Sequence, residues 1–195
     1  MVSDGWTNKV NDAKEGVKID SKTSVNGFNE MRAFGEVPFA PMLVFKALCN
    51  PQYTETYDKS IAESRLLRKI CANTYSSYDK TKPEFMIAAR DFVTVVHNEL
   101  RPDGSILFLF FSDDSIENEV PAGKPVRAKV FIAGHLLEPV PGEPNKTNMS
   151  MTYEFDFGGS LIKSVIAASN TEAGYLIVAL RKTLEKYCKD HKISQ

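Results

Sequence analysis

The residue types that most often catalyse reactions or bind metals are few in this chain and lie far apart. Its histidines and cysteines are His97, His135, His191, Cys49, Cys71 and Cys188. They show none of the short spacings typical of zinc ligands, and each histidine is interpreted as a satisfied or exposed side chain. Arg90 and Asp91 are interpreted as a structural pair at the start of a strand. No Ser-His-Asp arrangement, Cys-His arrangement or convincing carboxylate pair is recognisable, so we expect no metal site, no cofactor and no catalytic centre.

Bulk composition excludes several classes of partner and compartment. The chain has 195 residues, with 24 basic and 25 acidic side chains and a net charge of −1. A nucleic-acid partner would favour a strongly basic surface, so we expect none. Dispersed cysteines are typical of reduced thiols, the N-terminus lacks a signal-peptide core, and no stretch reaches about 18 apolar residues. We therefore expect a cytoplasmic protein that forms a single domain over residues 1–195.

One segment shows strict alternation of apolar and polar residues. Its apolar residues all fall on one side, and they are Met149, Met151, Tyr153, Phe155 and Phe157. Successive side chains of a strand point to opposite faces, so the pattern predicts a strand over 149–157 with one apolar face. Gly158-Gly159 ends this strand, and a helical pattern of about 28 residues runs from there to Cys188.

The predicted C-terminal helix carries an apolar stripe at steps of three and four residues. Its members are Ile162, Ile166, Ser169, Ala173, Leu176, Leu180 and Tyr187. The second half of the stripe is large and typical of core packing, whereas the first half narrows to Ser169, Ala173 and the nearby Gly174. Small residues opposite an apolar sheet leave room for a ligand, but they also allow close contact between helix and sheet. The pattern favours a cavity, and both interpretations stay open.

Strand signals cluster along the rest of the chain instead of alternating with helices, which predicts an α+β fold. The N-terminal part is predicted to form a weak helix over 4–15 and then a hairpin of strands 17–25 and 28–37. Short helices follow from Pro41. Further strands are predicted at 60–71, 73–82, 90–101, 104–112, 126–133 and 135–140. Loops are predicted at 112–125 and 140–148.

Residues 106–111 read Ile-Leu-Phe-Leu-Phe-Phe, which is six apolar residues in a row. These side chains cannot all face one side of a strand, so either both faces are covered or the outer face is an apolar surface. The favoured interpretation is a central strand beneath another element, for example the N-terminal helix. A partner-binding surface is the alternative.

Several short segments, each weak alone, occur together in the order of one known family. They are Gly16-Val17-Lys18-Ile19, Val44-Phe45-Lys46-Ala47-Leu48, Tyr57-Asp58-Lys59-Ser60-Ile61, Arg90-Asp91-Phe92-Val93, Val126-Arg127-Ala128, Leu137-Glu138-Pro139 and Leu180-Arg181-Lys182. From Trp6 to Tyr187 the chain resembles a START domain, the lipid-transfer module related to the steroidogenic acute regulatory protein. The resemblance implies a helix-grip fold, in which a curved antiparallel sheet wraps around a long C-terminal helix. It also implies a tunnel between sheet and helix that holds one lipid.

The resemblance further implies which side chains line this tunnel. Two neighbouring strands are expected to send inward Tyr75, Ser77, Asp79, Phe92, Thr94 and Val96. The alternating strand and the helix stripe are expected to add Met151, Tyr153, Phe155, Ile166, Ser169 and Ala173. The helix and the loop 112–125 are implied to act as the lid, with a gate formed by Glu119, Val120 and Pro121.

One pair of positions departs from the pattern of sterol-carrying relatives, which are similar in placing an acid and an arginine face to face. Asp79 keeps the acid, whereas Val96 stands in place of the arginine. A buried carboxyl group without a cation becomes neutral or takes its partner from the ligand. An amine-bearing or hydroxyl-bearing head group would serve. The alternative is that Asp79 lies at the end of its strand in water, and both interpretations stay open. Because the acid–arginine pair is incomplete, a phospholipid is favoured over a sterol.

We therefore expect a non-enzymatic, monomeric lipid-binding or lipid-transfer protein. It would carry one lipid, preferably a phospholipid, and contact membrane surfaces transiently. The alternatives are a sterol carrier and an enzyme on the same scaffold, such as a cyclase or a hydrolase. A ligand-gated interaction module that uses the strand 106–111 is a further alternative.

Overall fold

A computed structural model describes residues 4–84, 87–159 and 171–193 of the chain. In this part, ten strands form one sheet in the order β1-β2-β3-β10-β9-β7-β6-β5-β4, with β8 paired to β6. The strands are β1 Thr7–Asp12, β2 Val17–Thr23, β3 Asn29–Val37, β4 Ile61–Cys71, β5 Thr74–Thr81, β6 Arg90–Leu100, β7 Ile106–Phe111, β8 Val126–Arg127, β9 Lys129–Val140 and β10 Glu143–Asp156. The described helices are α1 Pro41–Leu48, α2 Pro51–Tyr57 and α3 Leu176–His191. The pairings along the sheet are antiparallel, as predicted, and only the short β8 adds a parallel pairing.

Local sequence signals explain where several of these elements begin and end. Gly27 has φ +79°, which the turn between β2 and β3 requires, and the hairpin predicted there is confirmed. Proline occupies the first turn of α1, where its missing N–H leaves no bond unmade. The side chain of Asn50 caps α2 by accepting a hydrogen bond from the backbone N–H of Gln52 at 3.1 Å.

The core lies where α3 packs its apolar stripe against the inner face of the curved sheet. Ile177, Leu180 and Leu184 are each at most 1% exposed. A Cβ atom built on Gly174 would lie 2.4 Å from Cδ1 of Ile19 on β2, so this glycine permits close contact between helix and sheet. The predicted stripe of small residues therefore serves close contact at Gly174.

Three predictions for individual elements are wrong. Residues 4–15 form no helix, because β1 pairs with β2 and extends the sheet by one edge strand. The segments 126–133 and 135–140 are not separate strands, because Gly134 lies inside the continuous β9, where a Cβ would approach Cδ2 of Leu109 to 2.6 Å. The predicted loop 140–148 belongs largely to β10, since a tight turn at Gly142 with φ +79° joins β9 directly to β10.

The start of the predicted C-terminal helix, including Ile166 and Ser169, lies outside the described residues. Residues 171–174 are helical, a turn follows at Tyr175, and α3 continues to His191.

The apolar strand β7 lies between β6 and β9 and has two different faces. Phe108 and Phe110 face the interior of the protein, whereas Phe111 is 37% exposed on the outer face. The expectation that an N-terminal helix covers this strand is wrong, because the N-terminal segment forms β1 at the far edge of the sheet.

Candidate functional site

A cavity of about 1310 Å³ lies between the inner face of the sheet and the three helices. Its walls come from β4, β5, β6, β7, β9 and β10, together with residues of α1, α2 and α3. Pockets for drug-sized ligands typically measure about 300–1,000 Å³, so this cavity has room for a larger molecule.

Ten of the predicted tunnel residues belong to the described part of the chain, and the structure brings all ten to the wall of this cavity. They are Tyr75, Ser77, Asp79, Phe92, Thr94, Val96, Met151, Tyr153, Phe155 and Ala173. Their role in binding a lipid stays a prediction.

The register of β5 against β6 places the polar part of this wall. Ser77 lies opposite Thr94, and their hydroxyl oxygens are 2.9 Å apart. Asp79 lies opposite Phe92, whereas Val96 lies opposite Tyr75. Asp79 and position 96 therefore do not face each other: they are offset by four positions, or roughly 13 Å along the strands. The prediction that Val96 occupies the position facing Asp79, where sterol-carrying relatives would have an arginine, is therefore wrong.

Asp79 nevertheless lacks a cation. Burial raises the pKa of its carboxyl group, while hydrogen bonds from Ser64 and Ser77 oppose that rise. The hydroxyl of Ser77 donates to Oδ2 of Asp79 at 3.4 Å, and within the described residues no Lys or Arg nitrogen lies within 4 Å of this carboxylate. The Asp79 carboxyl group is thus a polar group at the cavity wall that a ligand can complete.

Several buried polar groups of the wall are uncharged near pH 7. Burial raises the pKa of the phenols of Tyr57, Tyr75 and Tyr153, and it raises the pKa of the Cys49 thiol to about 12. Burial also lowers the pKa of His135 to about 4, so its imidazole is neutral. The inner wall is therefore suited to an apolar molecule with few polar atoms.

Arg90 is a buried charged residue of the wall, and its surroundings correct the sequence interpretation. Adjacent residues of a strand point to opposite faces, so Arg90 and Asp91 do not pair. Asp91 binds the guanidinium of Arg127 on the outer face at 2.8 and 3.1 Å. Arg90 is 6% exposed and lines the cavity, and it donates to the backbone carbonyl oxygens of Ala88, Phe157 and Gly158. The sequence contained a signal for this arrangement, because consecutive residues of a strand point to opposite faces and Arg90 is directly followed by Asp91.

The predicted gate residues lie on the outer face of the sheet. The Glu119 carboxylate accepts hydrogen bonds from Arg68 and from Ser76, each at 2.6 Å. Val120 packs on the outer cluster around Tyr78, and its carbonyl oxygen accepts from Arg127 at 3.0 Å. Neither these two residues nor the exposed Pro121 belongs to the cavity wall. A gating role for this loop stays a prediction that its position does not support.

The cavity reaches solvent elsewhere in the described structure. Its exposed wall residues include Lys59 and Ser60 before β4, and Lys82 and Pro83 after β5. Leu66 of the edge strand β4 also lines the cavity and is 58% exposed. Sequence reasoning missed this rim, because the residues have ordinary loop composition and only the topology brings them together.

The part of the chain that the structure describes has neither a cluster of metal ligands nor a helix able to cross a membrane. No group of three or more His, Cys, Asp or Glu side chains there is arranged to hold a metal ion. None of the helices in that part combines the length and the apolar character needed to cross a bilayer.

A curved antiparallel sheet that encloses a large cavity against a C-terminal helix is the arrangement of the helix-grip fold. A model of the START domain matches residues 2–190, and the chain belongs to the START domain family. The predicted family and the predicted fold are therefore confirmed.

Named relatives and solved structures agree with this assignment. StAR-related lipid transfer protein 5 of Mus musculus is 30% identical over 118 residues, which cover 57% of this chain and 53% of that protein. The Bos taurus protein of the same name is 32% identical over 108 residues, covering 52% of this chain and 48% of that protein, so the chain spans about half the length of these curated relatives.

Two human structures share the fold at lower identity. Human StAR-related lipid transfer protein 5 has a TM-score of 0.83 at 23% identity, covering 95% of this chain and 88% of that structure. Human STARD10 has a TM-score of 0.82 at 18% identity, covering 96% of this chain and 76% of that structure.

Proposed function

We propose that this chain binds one lipid in the cavity and transfers it between membranes, with a phospholipid preferred over a sterol. The observation that carries this proposal is a cavity of about 1310 Å³ whose exposed wall surface is mostly apolar. Membership of the START domain family and the similarity to proteins named for lipid transfer support it.

The size of the cavity favours a lipid with two chains. Burial of each CH₂ group contributes about 0.8 kcal/mol, so a chain of about 16 carbons contributes roughly 13 kcal/mol. Association costs about 4–15 kcal/mol in lost translational, rotational and conformational freedom. One chain only just offsets this cost, whereas two chains exceed it. A volume above the usual range for small ligands is consistent with the larger guest.

The polar groups of the wall favour a phospholipid head group. The Asp79 carboxyl group lacks a cation within the described residues, so an amine or a hydroxyl group of the ligand would complete it. Arg90 lies on the same inner face, and among the described residues its guanidinium donates to three neutral carbonyl oxygens. A sterol offers a single hydroxyl group and has no anionic group that could pair with the charge of Arg90.

The remaining parts of the proposal concern the setting in which the protein works. We propose a cytoplasmic monomer that binds without turnover and contacts membranes transiently at the exposed rim of the cavity. Names of the relatives describe transfer and not catalysis, which supports binding without turnover.

Native mass spectrometry of freshly purified protein, followed by extraction of the bound molecule, tests the proposal directly. We expect one phospholipid per chain, and we expect the protein to accelerate transfer of a labelled phosphatidylcholine between vesicles more than transfer of a labelled sterol. Protein that co-purifies with no lipid and accelerates neither transfer would contradict the proposed function. Faster transfer of the sterol would refute only the preference.

A further inference from the structure

Two polar side chains lie in one row at the end of the cavity farthest from Asp79. Asn98 of β6 lies opposite Phe108 of β7, and Phe108 lies opposite His135 of β9. Residues paired in this way share one face of the sheet, and all three line the cavity. The row therefore places an amide and an imidazole on either side of one phenyl ring.

Both polar side chains hold an atom that the protein leaves without a partner. Among the described residues, the buried side-chain nitrogen and oxygen atoms without a hydrogen bond are Oδ1 of Asn98 and Nδ1 of His135. Leaving such an atom unpaired costs about 1–3 kcal/mol. Both unpaired atoms belong to the same row of the same cavity, whereas random packing defects would be scattered through the protein.

The aromatic surroundings hold His135 in place. Its ring stacks on Phe108 at 5.6 Å with an interplanar angle of 9°, and it meets Tyr153 edge-on at 5.8 Å. The side chain is 6% exposed, and burial keeps the imidazole neutral. Such packing fixes the plane of the ring and supplies no polar partner.

The chemistry of the missing partner follows from the two atoms. The amide oxygen of Asn98 only accepts hydrogen bonds. A neutral imidazole has one donor and one acceptor nitrogen, and an unpaired buried acceptor is tolerated better than an unpaired buried N–H. We therefore assign the proton of His135 to Nε2, which makes Nδ1 an acceptor. Each of the two acceptors requires a ligand group that donates. A hydroxyl group is the donor an otherwise apolar lipid would carry, and because it has one proton it donates to one of the two acceptors at a time.

The position of this row defines where that hydroxyl group must lie. Asp79 is opposite Phe92 of β6, and Phe92 is six positions before Asn98 on the same strand. This offset corresponds to about 20 Å at roughly 3.3 Å per residue. The wall between the two ends is mainly aromatic and aliphatic, with Val96, Phe110 and Phe155 among its residues.

We propose that Asn98 and His135 form a second polar subsite, which binds a hydroxyl group at the end of the lipid remote from its head group. The preferred ligand is then an amphiphile that carries a polar head near Asp79 and a hydroxyl group about 20 Å away. This inference rests on the proposed lipid-binding function. A trapped water molecule is the competing occupant, because these two acceptors reach the minimum of the 2–4 polar partners that buried water needs, and the pair of ligands described next distinguishes the two occupants.

A matched pair of ligands tests the subsite. Delipidated full-length protein is titrated with palmitic acid and with ω-hydroxypalmitic acid, each in competition with a fluorescent fatty acid. We expect the hydroxylated acid to bind about fivefold to tenfold more tightly, which is the advantage of one net hydrogen bond. Replacement His135→Phe keeps an aromatic ring against Phe108 and removes the acceptor, so the advantage should disappear. Asn98→Val should reduce it.

A control variant separates this effect from general damage. His97 lies on the outer face, where Nδ1 pairs with Oγ1 of Thr74 at 2.8 Å, so His97→Phe should keep the full advantage. Equal affinity of the wild type for both acids, or an advantage that survives both His135→Phe and Asn98→Val, would overturn the subsite and leave the proposed function standing. If His135→Phe does not fold, Asn98→Val decides the question. Failure to bind either acid and any phospholipid would overturn the proposed function itself.

Discussion

Burial of His135 makes the free energy of unfolding depend on pH. The pKa of this imidazole falls from its ordinary 6.5 to about 4 in the folded protein. As the pH falls below about 6.5, the unfolded chain takes up a proton that the folded chain refuses. The folded state therefore loses stability at about 1.4 kcal/mol per pH unit through this window. The expected loss is about 2 kcal/mol at pH 5 and about 3 kcal/mol at pH 4, and it is absent above the unfolded pKa.

Urea unfolding of ligand-free protein at about pH 7.5 and at about pH 5 measures this loss. His135→Phe cannot titrate and keeps a ring against Phe108, so acidification should cost it about 2 kcal/mol less than it costs the wild type. Carboxylates with a lowered pKa, such as Asp20, also lose stability in acid, but they do so in both proteins and cancel in the difference.

The outer-face variant His97→Phe is the control for this experiment. Because it leaves the buried imidazole in place, its response to pH should retain the contribution of His135. Wild type and His135→Phe with the same pH dependence would show that the folded protein protonates this imidazole near its ordinary pKa. That result would refute the dry, closed environment on which the reasoning depends.

Three further predictions concern the cavity and the packing of the helix. Val96→Phe places a larger side chain in the cavity, so it should weaken lipid binding by about 1–3 kcal/mol and slow transfer between vesicles. The control Val95→Phe, on the outer face, should leave binding and transfer unchanged. Equal effects of the two substitutions would place both positions outside the site. Asp79→Asn should alter the preference between zwitterionic and anionic head groups more than it alters total affinity, as measured by competition between labelled lipids. An unchanged preference would show that Asp79 does not select the head group. Gly174→Ala should lower the free energy of unfolding in urea by about 1–3 kcal/mol, because the new Cβ would contact Ile19. Adding Ile19→Val should relieve part of this loss. If the losses from the two single substitutions simply add in the double variant, the close contact is contradicted.

Alternation along strands made much of the cavity wall predictable. Met151, Tyr153 and Phe155 are two residues apart on β10, so one observation of period two placed all three on the inner face. The same rule, combined with the family resemblance, placed Ser77 and Thr94 on the wall. These positions depend only on which residues are neighbours in the chain, which the sequence states directly.

Positions that depend on pairing between distant segments were not predictable in the same way. Whether His135 is buried depends on the register of β9 against β7, and the sequence around Gly134 suggested a break between strands instead of continuous pairing. The offset of Asp79 from position 96 depends on the register of β5 against β6. A shift of two positions there leaves every side chain on the same face and changes only which residues are opposite each other.

The prediction of a helix in the N-terminal segment was wrong for a different reason. Residues 4–15 contain few apolar side chains, so no periodicity distinguished an edge strand from a weak helix. Asn8 of β1 donates to Oδ1 of the buried Asp20 at 3.0 Å, and Asp20 also accepts from Arg32 at 3.0 Å. Polar contacts of this kind stabilise the strand through tertiary structure, which a local pattern of hydrophobic residues does not report.

The two faces of β6 separate the wall of the cavity from structural support. Phe92, Thr94 and Val96 line the cavity, whereas the residues between them pack or pair on the outer face. There, Asp91 binds Arg127, and Arg127 in turn holds the carbonyl oxygens of Glu117 and Val120 at 3.1 and 3.0 Å. The loop 112–125 is therefore held on the face of the sheet opposite the cavity. Substitutions on one face should change which lipid is bound, and those on the other should change how firmly the loop is held, although the residues concerned are neighbours in the chain.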